Sequence, residues 1–338
     1  MAITIKDVAK ETNLAISTIS KYINGGSVRP ENKKVIDEAI SRLGYHPNKA
    51  ARGLRGVHTF TIGLLMDSLE SQYYAVITEN IEWILKEKGY SLIVCCHKDC
   101  ANTAKQRLEF LVERQVDGII MVPLASELNY MKDVLKSGIP IVAIDRYPNA
   151  PCDTVASNAV TGAYAAVEYL IRCGHKKIGI ISGTDRSNPG IDTAKDRLKG
   201  YYRAFEDYRI EVIEEFVKKG DFKFDSGYEC MESLWNLREK PTAIFVANYN
   251  MALGAMTAIH NLKIKVPEEL SFVSYDDLEF SYLSNPNLTA VRQPAEKVAK
   301  ESIELLLKRI AGDHSSYPKY IRIPTTLHIR DSVKKMDD

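Results

Sequence analysis

No stretch of the chain approaches the roughly 20 apolar residues that span a bilayer, and the first residues lack the basic-then-apolar pattern of a secretion signal. Those absences predict a soluble, cytoplasmic protein with no membrane partner. Catalytic fingerprints are missing too: there is no phosphate loop, no Gly-x-Ser-x-Gly elbow, no His-Glu-x-x-His and no dinucleotide glycine pattern. The seven histidines (46, 58, 97, 175, 260, 314, 328) form no spaced cluster. An enzyme is therefore not expected, and no catalytic residue is assigned. The six cysteines (95, 96, 100, 152, 173, 230) lack a second Cys/His group at zinc-site spacing, although the run Cys95-Cys96-His97-Lys98-Asp99-Cys100 invites a metal or redox reading. That run follows a strand-like SLIV, so the cysteines are read as reduced thiols. Neither metal nor cofactor is expected.

What is present is distributed unevenly. Residues 1–58 carry ten Lys/Arg and five Asp/Glu, a net +5, so against +1 for the whole chain residues 59–338 must sum to −4. A basic head on a mildly acidic body suits a phosphate-binding module joined to something else. At 338 residues and 45% hydrophobic content, the chain has room for that head and about two further domains.

The stretch from Thr4 to Arg55 reads as two short helices, a longer third and a small basic fourth. In the first, Ile5, Val8 and Ala9 recur at helical spacing, with Thr4 placed to cap it. Asn13 suits the left-handed turn that follows. The second, about 15–24, should bury Ile19 and Ile23 and leave Ile16, Ser17, Ser20 and Lys21 outward. The third opens at Pro30, closes at Gly44 and carries a core stripe of Val35, Ile36, Ala39, Ile40 and Leu43. This is the layout of a helix-turn-helix whose second helix enters a major groove. Periodicity alone would equally suit a plain three-helix core; the excess positive charge argues for DNA.

These residues resemble the DNA-binding head of the LacI/GalR family of bacterial transcription regulators. The resemblance rests on T-I-K-D-V-A at 4–9, S-T-I-S-K at 17–21, Asn24, Val28 and Y-H-P-N-K-A-A-R-G-L-R at 45–55. It implies that Ile16 and Ser17 face base edges, Ile16 against a thymine methyl. Lys21 stands where most members carry a guanine-reading Arg, keeping the charge but losing the planar fork. Asn13 replaces a usual turn Gly, and Ala15 a capping Ser. Thr4, Thr18, Ser20 and Asn24 become phosphate ligands, each alternatively a helix cap or a solvated hydroxyl. A helix as short as Asn48 to Arg55, with Gly53 inside it, is expected to be marginal alone in water. The resemblance makes it a hinge that folds as two copies pair in the minor groove, with Asn48, Ala51, Leu54 and Arg55 on DNA and Leu54 wedged into a base step. A flexible basic linker is the plainer alternative.

Beyond Phe60, short apolar runs (61–66, 92–95, 118–122, 141–145, 178–182, 243–247, 270–275) alternate with amphipathic segments (75–88, 104–113, 130–136, 162–173, 194–208, 227–237, 251–262). Such alternation predicts parallel sheets covered by helices on both faces, with ligands beyond the carboxyl ends of the strands. The resemblance extends to this body and implies two doubly wound α/β lobes of periplasmic-binding-protein type, exchanging segments at three crossovers. The implied division is 1–46 for the head, 47–59 for hinge and linker, 60–158 with 292–322 for one lobe, and 159–291 with 323–335 for the other.

The family's effector contacts fall on Asp67, Tyr73, Tyr74, Arg197, Phe222, Asn248 and Asp276, with Asp145 and Arg186 weaker candidates and Gln293 a possible coupler of the lobes. Arg197, Asn248 and Asp276 would serve hydroxyls, and the aromatics a ring face. Each has an ordinary alternative: Asp276 and Asn248 as helix caps, the tyrosines as core. A sugar or sugar-like effector is expected. A purine is disfavoured, because Ile191 stands where the purine-binding branch places an Arg, although the tandem Tyr73-Tyr74 is shared with that branch. The expected function is a repressor that binds a near-palindromic operator as a dimer under allosteric control by this effector. The chain carries no heptad tail, so a homodimer is expected. The alternative is a cytosolic solute-binding protein of the same body fold without a DNA role.

Overall fold

The computed structural model describes residues 3–23, 26–45, 58–124, 128–148, 150–183 and 192–336. Met1–Thr59 and Phe60–Asp338 form two compact units. In the first, α1 (Ile5–Thr12), α2 (Ile16–Ile23) and α3 (Pro30–Leu43) enclose a small core of Val8, Ile19, Ile36, Ala39 and Tyr45. Asn13 ends α1 at φ 53°, the left-handed conformation its short side chain tolerates, and Gly44 ends α3 at φ 62°. Two sequence expectations need correction. Val35 is 44% exposed, because Ile36 and Ala39 already fill the small core from α3; Ile23 and Ile40 are only partly buried.

The second unit holds two six-stranded sheets. The strands are β1 (Thr61–Met66), β2 (Ser91–Cys96), β3 (Gly118–Met121), β4 (Ile141–Ile144), β5 (Asp153–Ser157), β6 (Ile178–Gly183), β7 (Val217–Gly220), β8 (Ala243–Val246), β9 (Ser271–Tyr275), β10 (Thr289–Arg292), β11 (Tyr320–Ile323) and β12 (Thr326–His328). One sheet runs β11-β5-β4-β3-β1-β2 and the other β12-β10-β9-β8-β6-β7. Position by position the two orders correspond, β4 to β9 and β5 to β10. All described pairings are parallel except β10–β12, which is antiparallel.

Helices cover both faces of each sheet, and the near-continuous burial of the central strands follows from that. On the first sheet, α4 (Gln72–Glu87) and α12 (Ala295–Ile310) cover one face, with α5 (Ala101–Glu113) and α6 (Lys132–Lys136) on the other. On the second, α7 (Ala159–Arg172) and α8 (Asp192–Asp207) lie opposite α9 (Phe224–Trp235) and α10 (Tyr249–Asn261). The α9–α10 contact is backbone-close: a Cβ on Gly227 or Gly254 would collide with the main chain of the facing helix. A short α11 (Phe280–Leu283) follows β9.

The chain passes between the lobes after β5, after β10 and between β11 and β12. Three threads cross here, and Gln293 ties two of them to the second lobe's cleft loop. Gln293 accepts a hydrogen bond from the Ser157 hydroxyl and donates through Nε2 to Asp276 Oδ1 at 2.6 Å. No helix among the described residues is long and apolar enough to cross a membrane.

Candidate functional site

In the head, α2 presents Ile16, Ser17 and Lys21 to solvent while Ile19 is wholly buried. Thr18 and Ser20 are half-buried, so the outward placement expected of Ser20 is corrected: it sits at the flank of the core rather than on the exposed stripe. The backbone NH and hydroxyl of Thr4 both donate to the Asp7 carboxylate, at 2.8 and 2.7 Å, which holds the start of α1. Asn24, Asn48, Ala51, Leu54 and Arg55 lie outside the described residues, and the hinge expectation lies there with them.

In the body, the carboxyl ends of the strands from both sheets face one cleft. Asp145 follows β4 and Asp276 follows β9, at the corresponding position of each lobe. Both adopt the left-handed conformation, φ 66° and 74°, and each amide bonds back to the neighbouring strand, Asp145 to the Val155 carbonyl and Asp276 to that of Val291. That tight strand exit is uncommon for a side-chain-bearing residue, and it turns both carboxylates into the cleft mouth. Tyr74, in the first turn of α4, donates its hydroxyl to Asp145 Oδ2 at 2.8 Å. Asp276 instead accepts from Gln293 and, at 3.2 Å, from the Tyr249 amide.

Arg197 reaches the same place from α8. Its guanidinium lies 3.9 Å from the centre of the Tyr275 ring and donates to the Ala247 carbonyl, while its Nε has no partner. Burial works against this cation, and Asp276 holds it charged. Burial also lifts Asp276 above the usual carboxylate range, with Arg197 pulling it back. The hydroxyls of Tyr73 and Tyr275 are buried and equally unpartnered. A phenol or guanidinium nitrogen hidden from water without a partner costs free energy unless a ligand supplies one. The Tyr73 phenol is raised by burial and then by Asp145 and Asp276, one carboxylate from each lobe. A cavity of about 370 Å³ is lined by Tyr73, Val76 and Asn80 of one lobe and by Asp276, Asp277 and Arg292 of the other.

The remaining expected contacts divide. Phe222, at φ 66°, lays its ring over Gly183, where any Cβ would clash. Asn248 caps α10 by accepting from the Met251 amide at 2.8 Å, so its oxygen already serves the fold. Asp67 ends β1 and pairs at 3.6 Å with Arg146, whose other partner is Asp99 at 3.5 Å. Burial, then the charge of Asp99, raises Asp67 to about 6 against the pull of Arg146. Asp67, His97 and Asp99 lie close enough to suggest a metal site. However, His97 Nε2 faces the Val122 carbonyl at 3.1 Å and its Nδ1 accepts from the Asp99 amide at 3.1 Å. Both ring nitrogens are engaged, and a guanidinium occupies the space between the carboxylates. Arg186 and Ile191 lie outside the described residues.

Sequence reasoning missed Arg146, Asp99 and Tyr275. Arg146 directly follows the strand-end Asp145, and Tyr275 directly precedes Asp276, so adjacency to a strand-end acid was the available signal.

A pattern described as "Bacterial regulatory proteins, lacI family" matches residues 4–48, and a "Periplasmic binding protein-like domain" matches 167–333. The "HTH-type transcriptional repressor PurR" of Haemophilus influenzae strain PittEE is 36% identical, covering 98% of this chain and 99% of its own length. The chain belongs to the lacI family. The repressor of the same name from Proteus mirabilis is 37% identical over 91% of both chains. Among solved structures, the lac repressor dimer bound to operator and the anti-inducer ONPF superposes with a TM-score of 0.87 at 26% identity, covering 99% of this chain and 100% of that one. The CelR–cellobiose complex gives 0.74 at 27%, covering 98% and 99%. As a lacI-family member the protein is a DNA-binding transcriptional regulator controlled by a small molecule, and not an enzyme.

Proposed function

We propose that two copies of the chain repress transcription from a near-palindromic operator in the cytoplasm, and that a sugar-like molecule between the lobes governs their grip. The observation that carries the DNA half is α2: one wholly buried Ile19 fixes the helix, and Ile16, Ser17 and Lys21 stand out on a basic unit. In this reading Ile16 and Ser17 meet base edges, Lys21 meets a base or phosphate, and Thr4, Thr18, Ser20 and Asn24 hold the backbone. Asn48, Ala51, Leu54 and Arg55 form the minor-groove hinge of segment 47–59, between a head of 1–46 and lobes of 60–158 with 292–322 and 159–291 with 323–335. The lac repressor structure is a dimer on its operator, which supports the same stoichiometry here.

The effector site is Asp67, Tyr73, Tyr74, Asp145, Arg197, Phe222, Asn248 and Asp276, with Gln293 behind it. Donors and acceptors alternating around aromatic faces suit a polyhydroxylated ring, and CelR is a family neighbour solved with cellobiose. A purine is the second reading, supported by the adjacent Tyr73 and Tyr74 rings, 5.6 Å apart, and by the PurR relatives.

Fluorescence anisotropy against a duplex selected from a random library tests the proposal. A two-fold site should be enriched, with affinity falling steeply as salt rises. Lys21→Ala should weaken binding and lower the log–log salt slope by about one if it meets a phosphate. Enrichment of no symmetric site, with or without added sugars and purines, would favour a solute-binding protein with no DNA role.

A further inference from the structure

Several side-chain contacts that join the lobes sit on or beside the crossing itself. Ser157 meets Gln293, Gln293 meets Asp276, and Arg322, near the end of β11, pairs with Asp196 of α8 at 3.7 Å. Groups this close to the pivot move little when one lobe turns against the other.

Another contact lies away from the crossing. Gln72, the first residue of α4, donates its side-chain amide to the Glu279 carboxylate in the loop between β9 and α11. The next residue on each side lines the 370 Å³ cavity, Tyr73 after Gln72 and Leu278 before Glu279. The bond therefore spans the rim of that cavity, from a helix of one lobe to a loop of the other. No crossover runs between α4 and this loop, so rotation about the crossing parts the two ends. The bond is open to solvent, and it shifts the balance between closed and open lobes by a few-fold rather than locking it.

We propose that Gln72 and Glu279 form a clasp that holds the lobes closed over the cavity, biasing closure before any effector acts. Only its consequence for DNA rests on reading the interlobe cleft as the effector site; the clasp itself is a property of the body.

The pair can be inverted. Gln72→Glu sets two carboxylates against each other, and the positive end of the α4 dipole favours an acid at that position, so the helix start is not weakened. Adding Glu279→Gln restores an amide–carboxylate pair in the opposite sense. In the full-length protein, free of DNA and metabolites, methyl NMR resonances of Val76 at the cavity and of Val291 and Ile323 beside the crossing report the two forms. Gln72→Glu should move all three along one line, raising the open-to-closed ratio by about two- to fivefold, and the double variant should bring them back. No movement, a shift confined to Val76 one helical turn from the substitution, or a double variant that stays displaced would overturn the clasp. Operator affinity of the same three proteins, by anisotropy with the library-selected duplex, should change by a similar factor and return in the double variant. Unchanged affinity beside displaced methyls overturns the clasp's bearing on DNA. A parent protein that binds no operator counts against the regulator reading and leaves the methyl result to decide the clasp.

Discussion

The two lobes share one strand order and place an aspartate at the same tight strand exit, yet they follow it with opposite charges. In the first lobe Asp145 is followed by Arg146, a cation held between Asp67 and Asp99. In the second, Asp276 is followed by Asp277, an anion with no exposed side-chain surface, held by Arg292 and Arg330 at 2.8 Å and by His328 at 3.0 Å. Each lobe therefore anchors its cleft loop with a buried ion cluster of inverted sign. The common backbone delivers a carboxylate to the ligand, and the next residue decides what braces the loop. The bracing differs in kind: Asp277 is enclosed by cations, whereas Arg146 is shared between exposed Asp99 and Asp67, whose charged form burial disfavours.

That contrast can be broken most severely at Asp277. Asp277→Ala leaves two guanidiniums facing one another around an empty carboxylate site, and should cost about 3 kcal/mol in urea unfolding. A loss under about 1 kcal/mol would mean that solvent screens the cluster. Next comes Asp276→Asn, which removes the charge beside Arg197 and should weaken effector binding roughly a hundredfold, read as a lost thermal shift across a panel of sugars and nucleobases that stabilises the parent protein. An unchanged shift would remove Asp276 from the site.

The smallest effect sharpens the other side of the comparison. Because burial raises Asp67 to about 6, the folded chain keeps a proton there that the unfolded chain releases near pH 4. Stability should therefore fall as pH rises from about 4 to 6 and stay lower above it. Discounted for the fifth of the side chain that is exposed, this amounts to about 1–2 kcal/mol. Asp67→Asn should flatten that segment of the profile, and a variant that keeps the wild-type slope would remove Asp67 as its source.

The sequence carried the central strands well, because runs such as Thr61–Met66 and Ile178–Gly183 are buried on both faces and read as uninterrupted apolar stretches. It did not disclose β5, β7, β10, β11 or β12. Asp153–Ser157 and Val217–Gly220 hold polar residues that only sheet neighbours keep extended, and three-residue β12 has no period to detect. Helix starts were read two or three residues late, since α4 begins at Gln72 and α9 at Phe224, ahead of their apolar stripes. At the site, single residues were legible by resemblance, whereas their assignments depend on partners distant in the chain: Asn248 is a cap, and Arg146 meets Asp67 across 79 positions of sequence.

The triple crossing between the lobes also governs how the chain comes into being. One edge strand of each sheet, β11 or β12, comes from residues 320–328, after every other strand in the order of the chain, and α12 precedes them. During synthesis neither lobe can close its sheet until these strands, behind the other ten, have emerged. Truncation near the carboxyl terminus should therefore damage both halves together, and nonsense products lacking that segment become candidates for proteolysis rather than half-functional regulators.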